Sequence, residues 1–192
     1  MNKSSFFRKW LFIGVLAELS ILAYCYFNYP EPEELFQHAA RYSGRLSLFV
    51  FLFNCYYFAT RYPFAQEQNY LRLKQLVGIF AILHLIHFGF LAANVYLNQV
   101  SLEAPKVAGG ALAYLLIVVY PLVMRNRKQQ LSLHLGYFFY VGIVMAVTIL
   151  ARLKGDFPGA EASPIHYLGI SALVLALIGL GWRVRQNKRP SA

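Results

Sequence analysis

Six long apolar runs are the feature of this 192-residue chain that most restricts its fold. At about 1.5 Å rise per residue, each run crosses or nearly crosses a hydrocarbon core of about 30 Å. Hydrophobic residues make up 58% of the chain and charged residues only 14%, a balance that excludes an ordinary soluble domain. We therefore predict an all-α integral membrane protein, one six-helix transmembrane bundle over residues 1–192. The runs are Trp10–Asn28, Leu46–Thr60, Leu76–Leu97, Val107–Met124, Leu131–Leu150 and His166–Trp182.

The net charge of +10 follows a topological pattern rather than the pattern of a nucleic-acid binding surface. Of the 18 Lys and Arg residues, thirteen lie before the first run, in the second and fourth connections and after the last run. The other connections hold most of the acidic residues and a few bases, including Arg41, Arg45 and Arg152. The positive-inside rule then predicts that both termini face the cytoplasm. The thirteen are Lys3, Arg8, Lys9, Arg61, Arg72, Lys74, Arg125, Arg127, Lys128, Arg183, Arg185, Lys188 and Arg189.

Three histidines lie inside the apolar runs. His84 and His87 are three residues apart, so on a helix they point the same way, about one turn from each other. Counted from the basic residues that precede each run, His84 and His134 differ in depth by about 6 Å. Ionisable groups inside a membrane usually serve a ligand, a proton path or a cofactor, and bundles build cofactor sites between facing helices. We predict His84, His87 and His134 as cofactor-binding and metal-ligating residues, with haem iron held chiefly by His84 and His134.

The residues alone leave other interpretations open. A membrane histidine can simply form a hydrogen bond between helices. Zinc or copper fits less well than haem, because no carboxylate or cysteine joins the histidines at ligand spacing. Glu18, in the middle of the first run, could relay protons or contact a quinone. A transporter would use such groups too, although paired broken helices are not evident in the sequence.

Short motifs occur in all parts of the chain. Gln37-His38 follows the acid-Pro segment Glu31–Glu34, and Gly44-Arg45 precedes the second run; Arg72 and Lys74 precede Gly78 and Leu83-His84, and Leu133-His134 opens the fifth run. These motifs resemble the ferric reductase-like transmembrane domain family. The likeness is closest to its MsrQ group, the haem-binding membrane subunits of periplasmic methionine sulfoxide reductase systems.

The resemblance implies a b-type haem protein of the bacterial inner (plasma) membrane. Such a protein is an electron-transfer subunit rather than a self-contained enzyme: it passes electrons from a quinol or reduced flavin to a periplasmic oxidoreductase partner. The sequence contains no dinucleotide fingerprint or P-loop, so another molecule supplies the electrons.

One departure from the family pattern affects the number of haems. Where the family's fifth helix carries a second histidine, this chain has Val147. The outer haem of a two-haem member would lose an axial ligand there, so we predict a single haem. His166 is a substitute ligand, although an interfacial histidine beside Tyr167 is the simpler interpretation. A haem-free membrane scaffold of the same fold is the alternative function.

Overall fold

A computed structural model describes residues 3–101, 104–124, 128, 130–155 and 163–187, and this part of the chain contains helices and no strand. The helices are α1 Lys3–Asn28, α2 Pro32–Arg61, α3 Glu67–Leu97, α4 Ala104–Val123, α5 Leu131–Lys154 and α6 Pro164–Asn187. The all-α prediction is therefore confirmed. Several charged residues used in the topology prediction lie outside the described residues, namely Glu103, Arg125, Arg127, Asp156, Glu161, Lys188 and Arg189.

Four helices, α1, α3, α5 and α6, are long and apolar enough to cross a membrane. The apolar part of α4, Val107–Val123, is shorter. The helix α2 has 30 residues, but Arg45, Asn54 and Arg61 lower the hydropathy of its apolar part. The chain is thus a multi-pass membrane protein by the length and composition of these four helices.

The start of α2 differs from the prediction. The apolar run begins at Leu46, whereas the helix begins at Pro32. Proline suits the first helical position, and Glu33 and Glu34 in the first turn favour the positive end of the helix dipole. The backbone N–H of Leu35 already donates to the carbonyl of Glu31 at 2.9 Å. The prediction of a connecting loop here was therefore wrong, and it misplaced the residues His38, Arg41 and Arg45, which are helical.

The chain divides into two compact units. The first unit is Met1–Val50 with Gln75–Leu102, and the second is Phe51–Lys74 with Glu103–Ala192.

In the first unit, α1 packs closely on α3 at Gly14. A Cβ atom at this position would lie 2.7 Å from Cδ1 of Leu83, so a larger residue would need the leucine to move. Farther along, Cys25 of α1 packs against Leu35 and Ala39 of α2. The buried positions of α1 recur every three or four residues, which is the spacing of one helix face. Glu18 and Cys25 are buried, and the half-buried positions on this face include Leu11, Gly14, Val15, Ile21 and Leu22.

In the second unit, α5 packs against both α4 and α6. The hydroxyl of Tyr140 donates to the carbonyl of Gly109 at 3.2 Å and so joins α5 to α4. A Cβ atom at Gly142 would lie 2.9 Å from Cδ2 of Leu177, so α5 and α6 pack closely here. The helix α5 ends at Gly155, whose φ of 76° is the left-handed conformation that glycine adopts readily.

We expect Gly142→Val to destabilise the second unit by about 1–3 kcal/mol, because the added methyl groups overpack the contact with Leu177. Gly136→Val is a matched control on the same helix, since nothing lies within 4 Å of a Cβ built there. Thermal unfolding in detergent measures both. Equal unfolding temperatures for the two variants would contradict the close α5–α6 packing.

Candidate functional site

His84 and His87 form a pair of buried imidazoles on α3, in the first unit. Each side chain is only 8% exposed. Their ring centroids are 5.3 Å apart with planes inclined by 45°, and Phe80 lies 5.2 Å from His84 one turn earlier. The pair therefore occupies one face of α3 in apolar surroundings, as the sequence predicts for residues three apart.

Gly44 of α2 provides the surface against which His87 lies. A Cβ atom built on Gly44 would be 3.2 Å from Cε1 of His87 and 3.6 Å from its Nε2. The absence of a side chain at residue 44 therefore lets the backbone of α2 approach the imidazole ring closely. The Gly44-Arg45 motif drew attention to this position in the sequence, but its contact with His87 could not be inferred from spacing.

The pair is chemically suited to one axial position of a haem. Neutral imidazole is a common haem ligand, and burial in apolar surroundings is one of the means by which a protein sets the potential of the iron. Rings one turn apart on one helix lie side by side, so only one of the two would hold the iron of a bound haem. Either His84 or His87 therefore fits as a single ligand, and a six-coordinate iron needs a second ligand from another helix.

His134 of α5 lies in the second unit and is fully buried. The carbonyl of Lys128, 3.2 Å from Nε2, can only accept a hydrogen bond, so Nε2 carries the ring proton. The other nitrogen, Nδ1, is then the acceptor for the hydroxyl of Tyr120 at 2.6 Å. In this arrangement neither nitrogen is available to iron. Coordination through Nε2 would replace the hydrogen bond to Lys128.

Aromatic rings enclose His134. The ring centroids of Phe58, Tyr70 and Phe64 lie 5.4, 6.1 and 6.2 Å from that of His134. Tyr120, its hydrogen-bond partner, stacks on Tyr137 with centroids 3.7 Å apart and planes inclined by 9°. This cluster could not be predicted from the sequence, because Tyr120 and His134 lie on different helices and the burial of Tyr120 is not visible in the sequence.

An ion pair joins the start of α3 to the connection that precedes α5. Nζ of Lys128 lies 3.0 Å from Oε2 of Glu67. Nearby, the hydroxyl of Tyr70 donates to the carbonyl of Met124. These two contacts join the first turns of α3 to the residues between α4 and α5, near the start of the helix that carries His134.

The surroundings of Val147 and His166 bear on their predicted roles. Val147 is 58% exposed, so its side chain points outward from the second unit rather than into it. His166 is buried near the start of α6, and its Nδ1 accepts a hydrogen bond from the backbone N–H of Ser163 at 3.2 Å. His166 therefore helps to cap α6, which is a structural role.

A polar and aromatic cluster lies where α1 meets α2. His38 stacks on Tyr29 with centroids 3.8 Å apart and planes inclined by only 4°, and the guanidinium of Arg45 lies 5.2 Å from the ring centroid of Tyr42. The side-chain hydrogen bond with Tyr42, together with burial, raises the pKa of Tyr29 to about 12, so this phenol stays neutral at physiological pH. His38 thus lies on α2 and packs against the turn that joins α1 to α2.

Within the described residues, no three His, Cys, Asp or Glu side chains are grouped so as to hold a metal ion. Both cysteines, Cys25 and Cys55, are buried free thiols.

Comparison with known proteins gives no relative: no protein-family model matches the chain, and no curated protein and no solved structure matches it significantly.

Proposed function

We propose that this chain is a b-type haem protein of the bacterial inner membrane that transfers electrons from a quinol or reduced flavin to a periplasmic acceptor. In this proposal all six helices cross the membrane and both termini are cytoplasmic. The observation that carries it is the pair of buried imidazoles, His84 and His87, on an apolar helix. An ionisable group in such surroundings is costly to bury, and groups of this kind are usually retained for function.

Each histidine of the pair has a defined part in this proposal. His84 is the preferred axial ligand, and His87, seated on Gly44, is the alternative ligand or a neighbour that orients the site. The apolar side chains around the rings exclude water and so influence the potential. Bound haem would supply the one-electron chemistry, while the protein supplies its ligands and insulation.

The second axial ligand is less well supported than the first. The sequence predicts His134, and a ligating histidine commonly keeps a hydrogen bond on its other nitrogen. The bond between Nδ1 of His134 and Tyr120 could serve that purpose. Ligation would nevertheless cost the hydrogen bond between Nε2 and Lys128.

A haem-free membrane scaffold is the second candidate function. Two observations in the second unit favour it: both nitrogens of His134 are engaged in hydrogen bonds, and Val147 replaces a family histidine at a position that points outward.

The visible spectrum and a pyridine haemochrome assay of purified protein separate these two functions. We expect one b-type haem per chain, with a reduced Soret and α band. The protein is purified from membranes of haem-replete cells, so that the supply of haem does not limit its haem content. A colourless protein from such cells would contradict the electron-transfer proposal and support the scaffold.

A further inference from the structure

Glu18 is a buried acid in the middle of the apolar helix α1. Its side chain is 1% exposed, whereas the other acidic side chains that the structure describes, Glu31, Glu33, Glu34 and Glu67, are exposed. Glu18 lies on the face of α1 that packs within the first unit, between Gly14 and Cys25. Neither carboxyl oxygen has a hydrogen-bond partner among the described residues. A polar group in this situation is costly to bury.

Two serines of α2 accompany Glu18. Ser43 is the polar neighbour of the Glu18 carboxyl, although the contact lacks the geometry of a hydrogen bond. Ser47 follows one turn later, and both serine side chains are fully buried. Neither hydroxyl has a hydrogen-bond partner within the described part of the chain. Four buried polar oxygens from two helices are thus without protein partners in one part of the first unit.

Other helical hydroxyl groups in the chain show the bond that a buried serine could form. A helical Ser or Thr commonly donates to the carbonyl four residues earlier. Ser20 does so with Leu16 at 2.8 Å, and Thr148 does so with Val144 at 2.9 Å. Ser43 and Ser47, which need this bond more because they are buried, do not form it. Their hydroxyls therefore remain able to donate to and accept from another group.

The packing of the first unit places these groups at the level of the histidine pair. Gly44, next to Ser43, contacts the ring of His87. Gly14, one turn before Glu18, contacts Leu83, one turn before His87. Glu18 of α1, Ser43 of α2 and His87 of α3 thus lie at about the same height. Arg45, also at this height, turns toward the ring of Tyr42 instead.

We infer that Glu18, Ser43 and Ser47 form a proton-exchange site inside the membrane, with water as the proton carrier. The carboxyl O–H bond of Glu18 breaks as its proton passes to a water or to the Ser43 hydroxyl oxygen. Ser43 then releases its own proton to the Ser47 hydroxyl oxygen, and Ser47 releases its own to a further water. Glu18 is then reprotonated from the opposite side. One proton moves, no group is oxidised or reduced, and the site is restored.

The inference goes beyond electron transfer and does not depend on haem. A merely structural acid would be sealed from solvent and keep its proton, whereas an exchange site must pass it on. A cation site would instead hold Glu18 as a carboxylate. The protonation state and the exchange rate of one carboxyl group therefore decide between these roles.

Infrared spectroscopy of the full-length protein in lipid vesicles tests the inference. At neutral pH we expect a carbonyl stretching band from a protonated carboxylic acid. Glu18→Gln should abolish this band, and Glu18→Asp should move it. Either result assigns the band to Glu18, so the test survives if one of the two variants folds poorly. Glu34→Gln, which removes an exposed acid, should leave the band intact.

Transfer to D₂O then measures proton exchange. The wild-type band should shift while exposed amides are exchanging, and the double variant Ser43→Ala with Ser47→Ala should slow this shift by at least about tenfold. Absence of the acid band, a band that does not shift, or an unchanged rate in the double variant would each overturn the inference. Because the readout does not involve haem, it remains valid for a colourless protein.

Discussion

In the proposed haem protein, His84→Ala is expected to lower the haem content by at least about tenfold. Loss of groups that merely orient a metal ligand costs about 10–100-fold in affinity, and loss of a ligand itself should cost no less. The alanine leaves space near Phe80, so added imidazole should enter and restore part of the Soret absorbance. Haem content by pyridine haemochrome, with and without imidazole, is the measurement.

His87→Ala is the matched comparison, because it removes an equally buried ring from the same face of α3. We expect this variant to keep its haem and to show an altered spectrum or midpoint potential. If His87→Ala loses haem and His84→Ala keeps it, the ligand assignment within the pair is reversed. Full haem content in the double variant would exclude both histidines as ligands.

His134→Ala should destabilise the protein by about 3–5 kcal/mol. The substitution leaves a cavity among Phe58, Phe64 and Tyr70. It also removes the partner of the buried Tyr120 hydroxyl and of the half-buried Lys128 carbonyl. Tyr120→Phe removes one hydroxyl without a cavity and should cost less, about 1–3 kcal/mol. Unfolding in mixed detergent micelles compares the two variants.

The haem content of the folded His134→Ala protein separates the two roles of this residue. Loss of haem from folded protein would support the pairing with His84 predicted from the sequence. Retention of haem would show that the second ligand comes from elsewhere, with His134 serving to hold α5 to α4. A stability loss below about 1 kcal/mol would contradict the structural role described for its two hydrogen bonds.

The sequence predicted the helical class because membrane helices require long apolar runs that are easily recognised. It did not predict where α2 begins. The segment from Glu33 to Arg45 contains no continuous apolar run. The helix there depends on start signals and on packing of Leu35 and Ala39 against Cys25. A search for apolar runs ignores both kinds of information.

The candidate site could be predicted only as far as single helices determine it. The alignment of His84 and His87 follows from helical geometry alone. The contact of His87 with Gly44 and the hydrogen bond of His134 to Tyr120 depend on how separate helices pack. Residue spacing within one helix contains no information about such contacts, so the surroundings of the histidines required the three-dimensional structure.

The height of Arg45 in the first unit has a consequence for the bilayer itself. Arg45 lies half-buried on α2, next to Gly44, which contacts the ring of His87. An arginine keeps its charge, and placing it at the centre of a membrane helix costs about 2.5–3.5 kcal/mol. Lipid headgroups and water bend inward to reduce this cost. With α2 crossing the membrane as proposed, we therefore expect the lipid beside Arg45 to be locally thinned.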